Sequence, residues 1–260
     1  MIEKARHIDS PLPKEMEEHH YPILFEVEES HWWYVGRRRI IEAFVQDICA
    51  GLKPGRPRIL DVGCGTGANL KMLGAHGEVA GVDISQQALE FCRQRGLETV
   101  RFGAAESLPY EDESFDLVTA LDVIEHLDDD LTGLREIGRV LRPRGRLLLF
   151  VPAFMFLWGV QDEVSNHRRR YDRADLVRKV SEAGFEIEQI SYANVTFFLP
   201  VLVVRWIMRI FKIRAETEYG INFPALNRPL AALFAAERLV LQRSGFPFGV
   251  SLICVARKRP

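Results

Sequence analysis

The most constraining feature of the chain is the glycine-rich segment RILDVGCGTGANL at residues 58–70. An apolar run ends in Asp61, three alternate glycines follow, and the segment continues into residues that favour a helix. This order predicts a strand, a ligand-binding loop and a helix. Because glycine has no Cβ, the backbone N–H groups of such a loop can approach a ligand closely. We therefore expect an α/β fold with a binding site at this loop.

Two acids indicate the charge of the ligand. Asp61 stands directly before the loop, where its carboxylate would repel the pyrophosphate of a dinucleotide. Asp83 ends the next apolar run, residues 78–83, at about the distance from the loop at which an acid binds ribose hydroxyl groups. A positively charged nucleoside suits both acids. An NAD(P)-dependent oxidoreductase is therefore the less favoured alternative.

Several blocks in register resemble the class I S-adenosylmethionine-dependent methyltransferases, especially the type 11 small-molecule branch that includes the ubiquinone and menaquinone methylases. The blocks are LDVGCGTG at 60–67, Asp83, FDLV at 115–118 and LRPRG at 141–145. The resemblance covers roughly residues 30 to 195. It implies S-adenosyl-L-methionine as cofactor and a Rossmann-like, doubly wound α/β sheet of seven strands, mostly parallel with an antiparallel last strand.

The resemblance also implies a set of cofactor-binding residues in the loops that follow the first four strands. One position departs from the family pattern, because Ala104 stands where an acid usually contacts the adenine. The adenine amino group then needs another acceptor, for which Glu106 is the candidate. The implied set is Asp61, Gly63, Cys64, Gly65, Gly67, Asp83, Ile84, Ala105, Glu106 and Leu121.

The segment LDVIEHLDD at 121–129 follows the fourth predicted strand, where the resembling enzymes bind the methionine part of the cofactor and the acceptor. Methyl transfer is an in-line displacement that depends on alignment, and a base is needed only if the acceptor loses a proton. The candidate catalytic residues are Asp122, His126 and His167, with His126 packed under the next helix as the alternative. Glu125, His126 and Asp129 could gather a divalent ion, but we assign no metal.

A second functional segment, NHRRRY at 166–171, follows an aromatic loop. Similar blocks occur in a subset of bacterial methyltransferases that are met beside glycan or lipid assembly enzymes, and a solvated charged surface is the alternative. With the aromatic and basic segment HWWYVGRRRI at 31–40, it supplies the predicted substrate-binding residues. These are Tyr34, Arg37, Trp158, Arg169, Arg170 and Tyr171.

The chain divides into four expected regions. They are an N-terminal arm and lid helix (1–50), a Rossmann-like core (51–193), a helical cap insertion (194–248) and the last strand of the core (249–260). The first thirty residues, with Pro11, Pro13 and Pro22, are predicted to be irregular. Segment 31–40 should then precede an amphipathic helix. Its aromatic residues either pack this helix onto the sheet or close over the cofactor, in which case Arg37 or Arg38 would pair with the carboxylate of the cofactor.

The alternation of apolar runs from residue 58 predicts a parallel sheet with right-handed crossovers. The predicted strands lie near 58–62, 78–83, 98–102, 115–121, 145–151, 185–192 and 250–257. The predicted helices lie near 67–75, 85–95, 130–141 and 172–183, with two further helices in the cap, at about 194–212 and 228–243.

The first cap helix is apolar but contains Pro200 and Arg205, so we do not expect it to span a membrane. Arg205, Arg209 and Lys212 recur at i, i+4 and i+7, which predicts one basic face. Such a helix suits the surface of an anionic membrane and a lipid-like or lipid-linked acceptor. A buried cap helix or a homodimer interface is the alternative.

Composition excludes some classes of protein. The formal net charge of −2 argues against a nucleic-acid partner. Four cysteines without CxxC spacing and an N-terminus without an apolar signal run favour a cytoplasmic location, with the inner membrane face as a further expectation. The predicted function is methyl transfer to a small-molecule or lipid-linked acceptor; a non-catalytic cofactor-binding or assembly protein is the alternative.

Overall fold

The computed structural model describes residues 20–52, 55–211 and 224–259. Its centre is one seven-stranded sheet in the order β3-β2-β1-β4-β5-β7-β6. Strand β7 runs antiparallel to β5 and β6, and the other pairs are parallel. This confirms the predicted fold. The strands are β1 (Arg58–Val62), β2 (Glu78–Asp83), β3 (Val100–Phe102), β4 (Phe115–Leu121), β5 (Leu141–Pro152), β6 (Phe185–Ala193) and β7 (Ser251–Lys258).

Helices cover both faces of this sheet. The helices of the described residues are α1 (His20–Val27), α2 (Trp32–Ala50), α3 (Ala68–Leu73), α4 (Gln86–Gln94), α5 (Asp130–Val140), α6 (Val160–Val164), α7 (Arg173–Glu182), α8 (Phe198–Ile210), α9 (Pro224–Ala236) and α10 (Arg238–Leu241). A short 3-10 turn, Met155–Leu157, precedes α6. Strands that are covered on both faces need continuous apolar runs, which explains the run of buried residues in β4 and in the end of β5.

Neighbouring residues of each strand point to opposite faces and so build two cores. On one face Leu60 and Val118 pack with α5 and α7 residues such as Leu134. On the other face Ile59 and Leu117 pack with the apolar side of α2. Helix α2 therefore covers the sheet with the side opposite to its exposed polar residues.

The N-terminal region differs from the prediction. Residues 20–27 form α1 rather than an irregular arm, and Pro22 lies in its first turn, where no intrahelical N–H bond is lost. Segment 31–40 does not precede the next helix; α2 begins at Trp32 and contains most of it. Pro11 and Pro13 lie outside the described residues.

The region between β6 and β7 contains α8, α9 and α10. The second predicted cap helix is divided into α9 and α10, and Pro229 lies inside α9. Helix α9 packs on α2 at Gly36, where a Cβ would stand 2.8 Å from the Phe234 ring. Within the described ranges, no helix has the length and apolar character needed to cross a bilayer.

Candidate active site

A cavity of about 590 Å³ opens at the carboxyl ends of the central strands, where ligands of doubly wound sheets bind. The loops after β1, β2, β3 and β4 form its floor. Helix α1 closes one side with Tyr21 and Leu24, and Glu28 lies in the turn directly after it. On the other part of the wall α8 contributes Val204 and Met208. The glycine loop and the cap therefore share one cavity.

The glycine loop needs its glycines for two physical reasons. Gly63, Gly65 and Gly67 have φ values of 65°, 53° and 91°, in the left-handed region that other residues rarely adopt. A Cβ at Gly63 would also stand 2.6 Å from Val123 Cγ2, and one at Gly67 would stand 2.8 Å from Leu97 Cδ1. A Cβ at Gly65 would meet nothing within 4 Å, so the loop backbone is open to a ligand there.

The two acids of the loop occupy different layers. Asp83 lines the cavity, and its carboxylate accepts hydrogen bonds from the Gly65 N–H at 2.8 Å and the Ser85 N–H at 2.9 Å. Asp61 lies behind the cavity wall, with Oδ1 bound to Thr119 Oγ1 at 2.6 Å. Among the described residues, Asp61 Oδ2 has no hydrogen-bond partner. Burial raises the pKa of both carboxyls, and that of Asp61 to about 7.

Most of the predicted cofactor-binding residues line the cavity. They are Gly63, Cys64, Gly65, Asp83, Ile84, Ala105, Glu106 and Leu121, whereas Asp61 and Gly67 lie behind its wall. Ala104 is buried and pairs with Ser107 in a β-bridge. Burial raises the pKa of Glu106, and its buried Oε2 has no partner in the described part of the chain. An unsatisfied acceptor in the same cavity as the open glycine loop fits the adenine end of S-adenosylmethionine.

On the cap side, the imidazole of His167 is held by a buried carboxylate. His167 Nδ1 lies 2.8 Å from Asp162 Oδ1, and Asp162 is fully buried. Burial works to raise the pKa of Asp162, but the His167 hydrogen bond and the charges of Arg170 and Arg205 outweigh it and lower the pKa to about 2. Because an ionised carboxylate only accepts hydrogen bonds, His167 Nδ1 carries the proton and Nε2 is the acceptor of the neutral ring.

The other two predicted catalytic residues lie beside this pair. His126 packs edge-on against His167, with ring centroids 4.6 Å apart. Burial, followed by the charge of His167, lowers the pKa of His126 to about 3, which makes it a weak base at neutral pH and favours the packing alternative. Asp122 pairs with Arg37 at 2.7 Å and has a φ of 59°. Strain of this kind in a non-glycine residue is common at functional sites.

The alternative metal set of Glu125, His126 and Asp129, to which we assigned no metal, is not brought together in the described part of the chain. Asp129 caps α5 instead, because its Oδ1 accepts from the Leu131 and Thr132 N–H groups at 3.1 Å each. Glu125 and His126 do offer ligand atoms within 4.8 Å of one another together with His167. These three residues could hold a divalent ion. Burial, followed by the charge of Asp122, raises the pKa of Glu125 well above its ordinary value.

Half of the predicted substrate-binding residues line the cavity: Tyr34, Arg37 and Arg170. Tyr171 is fully buried and donates to Asp130 Oδ2 at 2.8 Å, so it fastens two loops behind the wall.

Arg169 and Trp158 also lie outside the wall. Arg169 donates to the Leu127 carbonyl at 2.8 Å and pairs with Asp130 at 3.1 Å. Trp158 follows the 3-10 turn, and its carbonyl accepts from Arg209 at 3.4 Å. In this arrangement, substrate binding by either residue would be indirect.

Sequence reasoning missed the way α1 is fastened over the glycine loop. Glu28, in the turn directly after α1, accepts from Thr66 Oγ1 and pairs with Arg95 Nη2 at 2.8 Å. Arg95 also donates to the Thr66 carbonyl at 2.8 Å, and its guanidinium lies 4.3 Å from the centroid of the Phe25 ring. Partners 67 residues apart leave no local signal. Asp162 was visible five residues before His167 but was given no role.

Comparisons with known proteins agree with this geometry. A family model described as a methyltransferase domain matches residues 60–149. The chain is 35% identical over 164 residues to the uncharacterized methyltransferase YcgJ of Bacillus subtilis, which covers 58% of this chain and 64% of the relative. It is 40% identical over 106 residues to demethylmenaquinone methyltransferase of Staphylococcus aureus, which covers 38% of this chain and 44% of the relative.

Solved structures share the fold. The crystal structure of YcgJ has a TM-score of 0.53 at 24% identity and covers 84% of this chain and 98% of that chain. The cyclase SpnF has a TM-score of 0.52 at 26% identity and covers 84% of this chain and 80% of that chain. The chain spans less than two thirds of the curated relatives' length, 64% of YcgJ and 44% of the menaquinone enzyme. S-adenosylmethionine is the cofactor of the matched family, and residues 60–149 belong to the class I S-adenosylmethionine-dependent methyltransferases of the type 11 kind.

Proposed function

We propose that this protein transfers a methyl group from S-adenosylmethionine to a hydroxyl group of an apolar, lipid-like acceptor. One observation carries the proposal. The glycine loop, the His167 imidazole and an apolar wall from α2 and α8 line the same cavity. The cofactor site, a base and an acceptor site are therefore within reach of one another.

His167 is the proposed general base. Asp162 holds the proton on Nδ1, so Nε2 can take the proton of the acceptor hydroxyl while its oxygen forms the new bond to carbon. When bound, S-adenosylmethionine supplies a methyl group on a positively charged sulfur, which leaves as a neutral thioether. Asp162 keeps the ring oriented and stabilises the imidazolium that results.

The cavity wall favours an uncharged acceptor. Its buried arginines already face carboxylates: Arg37 pairs with Asp122 and Arg170 pairs with Asp162 at 2.7 Å each, and Arg205 lies 3.5 Å from the other Asp162 oxygen. An anionic acceptor would have to displace one of these carboxylates. The remaining acceptor-side wall is aromatic and aliphatic, and it includes Trp32, Trp33, Phe197, Val201, Val204 and Met208.

Helix α8 also has an outer face that suits a bilayer surface. Trp206 is 62% exposed and Val203 is 51% exposed. The basic face predicted for this helix does not form as expected, because Arg205 points inward with a side chain only 10% exposed; Lys212 lies outside the described residues. We propose peripheral contact with the cytoplasmic face of a membrane.

Flotation with anionic vesicles tests this contact. Wild type should co-float with the vesicles, and Trp206→Glu should do so less. A wild-type protein that stays in solution, as a dimer would, overturns the proposal.

A specific observation favours a second candidate. The SpnF structure, which resembles this chain, is named a cyclase, so the fold also serves proteins that are not named methyltransferases. This chain would then bind S-adenosylmethionine without transferring its methyl group.

The test is transfer of label from methyl-labelled S-adenosylmethionine. The purified protein is incubated with a total bacterial lipid extract in detergent micelles, and the organic phase is counted. We expect enzyme-dependent label in an apolar product. Calorimetric binding of S-adenosylmethionine without label in the organic or the aqueous product fraction would favour the second candidate, and label only in charged, water-soluble products would overturn the acceptor class.

A further inference from the structure

We infer that Arg205 is a positioning residue through which the cap helix α8 controls the Asp162–His167 pair. This inference rests on the proposed function, because it concerns the same base. Arg205 extends from α8 into the site and donates to the Leu157 carbonyl. Its Nη1 lies 3.5 Å from Asp162 Oδ2.

The approach of Arg205 depends on a glycine. A Cβ at Gly159 would stand 3.0 Å from Arg205 Nε and 3.2 Å from its Cζ. The Gly159 N–H donates to Asp162 Oδ2 at 2.7 Å, so this residue also binds the carboxylate that Arg205 faces. Because Gly159 has no side chain, Arg205 can approach the Asp162 carboxylate.

The two oxygens of Asp162 are bound by different parts of the fold. Oδ1 meets His167 Nδ1 at 2.8 Å and Arg170 Nε at 2.7 Å, both from the segment after α6. Oδ2 meets Gly159 and Arg205. Arg205 is the contribution of the cap, so a movement of α8 changes the charge next to Oδ2 while the contacts of Oδ1 remain.

Helix α8 can sense the acceptor with the same face. Val201, Val204, Arg205 and Met208 line the cavity and recur at i, i+3, i+4 and i+7, which places them on one side of the helix. An acceptor that packs against this side fixes the position of Arg205. With α8 in this position, Arg205 joins Arg170 next to the Asp162 carboxylate. The carboxylate then orients the His167 ring.

The groups that face the His167 ring come from two parts of the fold: Asp162 from α6, and Glu125 and His126 from the segment after β4. Arg170 and Arg205 act on the ring through Asp162. Removing the Arg205 charge leaves Asp162 with one cation. The Asp162 carboxylate is then held less firmly. Its hydrogen bond to His167 Nδ1, which keeps the proton on that nitrogen, is weakened as a result.

The test is the tautomer of His167, read by nitrogen-15 NMR of histidine-labelled protein loaded with S-adenosylhomocysteine. Arg205→Gln removes the charge and keeps a donor for the Leu157 carbonyl, Arg205→Lys keeps the charge, and Arg209→Met is the matched control one turn along α8. We expect Arg205→Gln to lose the downfield Nδ1–H signal of His167, whereas Arg205→Lys and Arg209→Met retain it. Unchanged calorimetric affinity for S-adenosylhomocysteine checks the fold of each variant.

An Arg205→Gln spectrum identical to wild type overturns the inference, and so does equal loss of the signal in Arg209→Met. With the lipid extract as acceptor, turnover of Arg205→Gln should fall by about 10-fold to 100-fold, the scale of a misplaced catalytic group. The two proposals fail separately. A tautomer that depends on Arg205 without any label transfer overturns the proposed function alone, and label transfer with an unresponsive tautomer overturns this inference alone.

Discussion

Helices α1 and α8 both line the same cavity, but the ion pairs that hold them to the core have opposite polarity. On the cofactor side, the turn at the end of α1 supplies the carboxylate of Glu28, and the core supplies the cation, Arg95. The acceptor-side helix α8 supplies the cation, Arg205, and the core supplies the carboxylate of Asp162. The Glu28–Arg95 pair lies against the glycine loop, whereas the Arg205–Asp162 pair lies next to His167, the proposed base. We therefore expect α1 to govern cofactor affinity and α8 to govern turnover.

The largest expected effect separates chemistry from binding on the acceptor side. His167→Gln should lower methyl transfer by about 10²-fold to 10⁴-fold, the usual contribution of a general base, while cofactor affinity is unchanged. His126→Gln is the matched control. The depressed pKa of His126, about 3, makes it a poor base, so its replacement should lower turnover far less. Label-transfer rates measure the turnover of the two variants, and calorimetry measures their cofactor affinity. Normal turnover of His167→Gln would mean that the reaction needs no base and depends on the alignment of the reactants only.

The second effect belongs to the cofactor side. Asp83→Ala should weaken S-adenosylmethionine binding by about 1–3 kcal/mol, roughly 5-fold to 150-fold, because hydrogen bonds to a charged acceptor are lost. Asp129→Ala removes a carboxylate that only caps α5 and should bind the cofactor like wild type. Titration calorimetry compares the two. Wild-type affinity in Asp83→Ala would mean that the ribose binds elsewhere.

A pH dependence should mark the cofactor side as well. The pKa of Asp61 is raised to about 7 by burial, so this carboxyl gains its negative charge as the pH rises through about 7. Affinity for the positively charged cofactor should therefore increase between pH 6 and pH 8, by up to about tenfold, as the ionised fraction grows. Asp61→Asn should flatten the profile.

The same shift has the opposite consequence for the ligand-free fold. Because the folded pKa lies above the ordinary value, the free energy of unfolding falls as the pH rises from about 4 to about 7. Thermal denaturation of Asp61→Asn, measured at pH 5 and pH 8, should show less of this fall. A wild-type binding profile that is flat, or that weakens with pH, would contradict the role given to Asp61.

The smallest effect tests the two fastenings against each other. Arg95→Met should weaken cofactor binding by about 3-fold to 10-fold, because α1 loses the ion pair that holds it on the glycine loop and seats less firmly. Arg205→Gln should leave that affinity unchanged. Hydrogen exchange should accelerate in α1 for the first variant and in α8 for the second. If both variants change cofactor affinity equally, the two helices act as one lid and the comparison fails.

The cofactor side was predictable because its signals are local. Residues 58–62 form β1 as expected, and the glycine loop lies between it and α3. Each of these features depends on a short run of sequence, since strand period, glycine conformation and strand-end acids are set by neighbours. The resemblance to a family extended the same local blocks to Glu106 and Leu121, which line the cavity.

The acceptor side depended on contacts between distant segments. Helical spacing placed Arg205 and Arg209 on one face, but spacing does not determine which face meets water, and Arg205 turned inward to Asp162. The arginines after His167 read as binders of an acceptor, whereas Arg169 pairs with Asp130 behind the wall. Such outcomes are fixed by tertiary packing, which a single sequence does not report.

The most direct test of the account is a crystal structure of the protein with S-adenosylhomocysteine. We predict that the ribose hydroxyl groups bind the Asp83 carboxylate and that the adenine amino group meets Glu106. The sulfur should face the side of the cavity lined by Asp122 and His167. A ligand bound away from the glycine loop, or a sulfur directed away from His167, would contradict it.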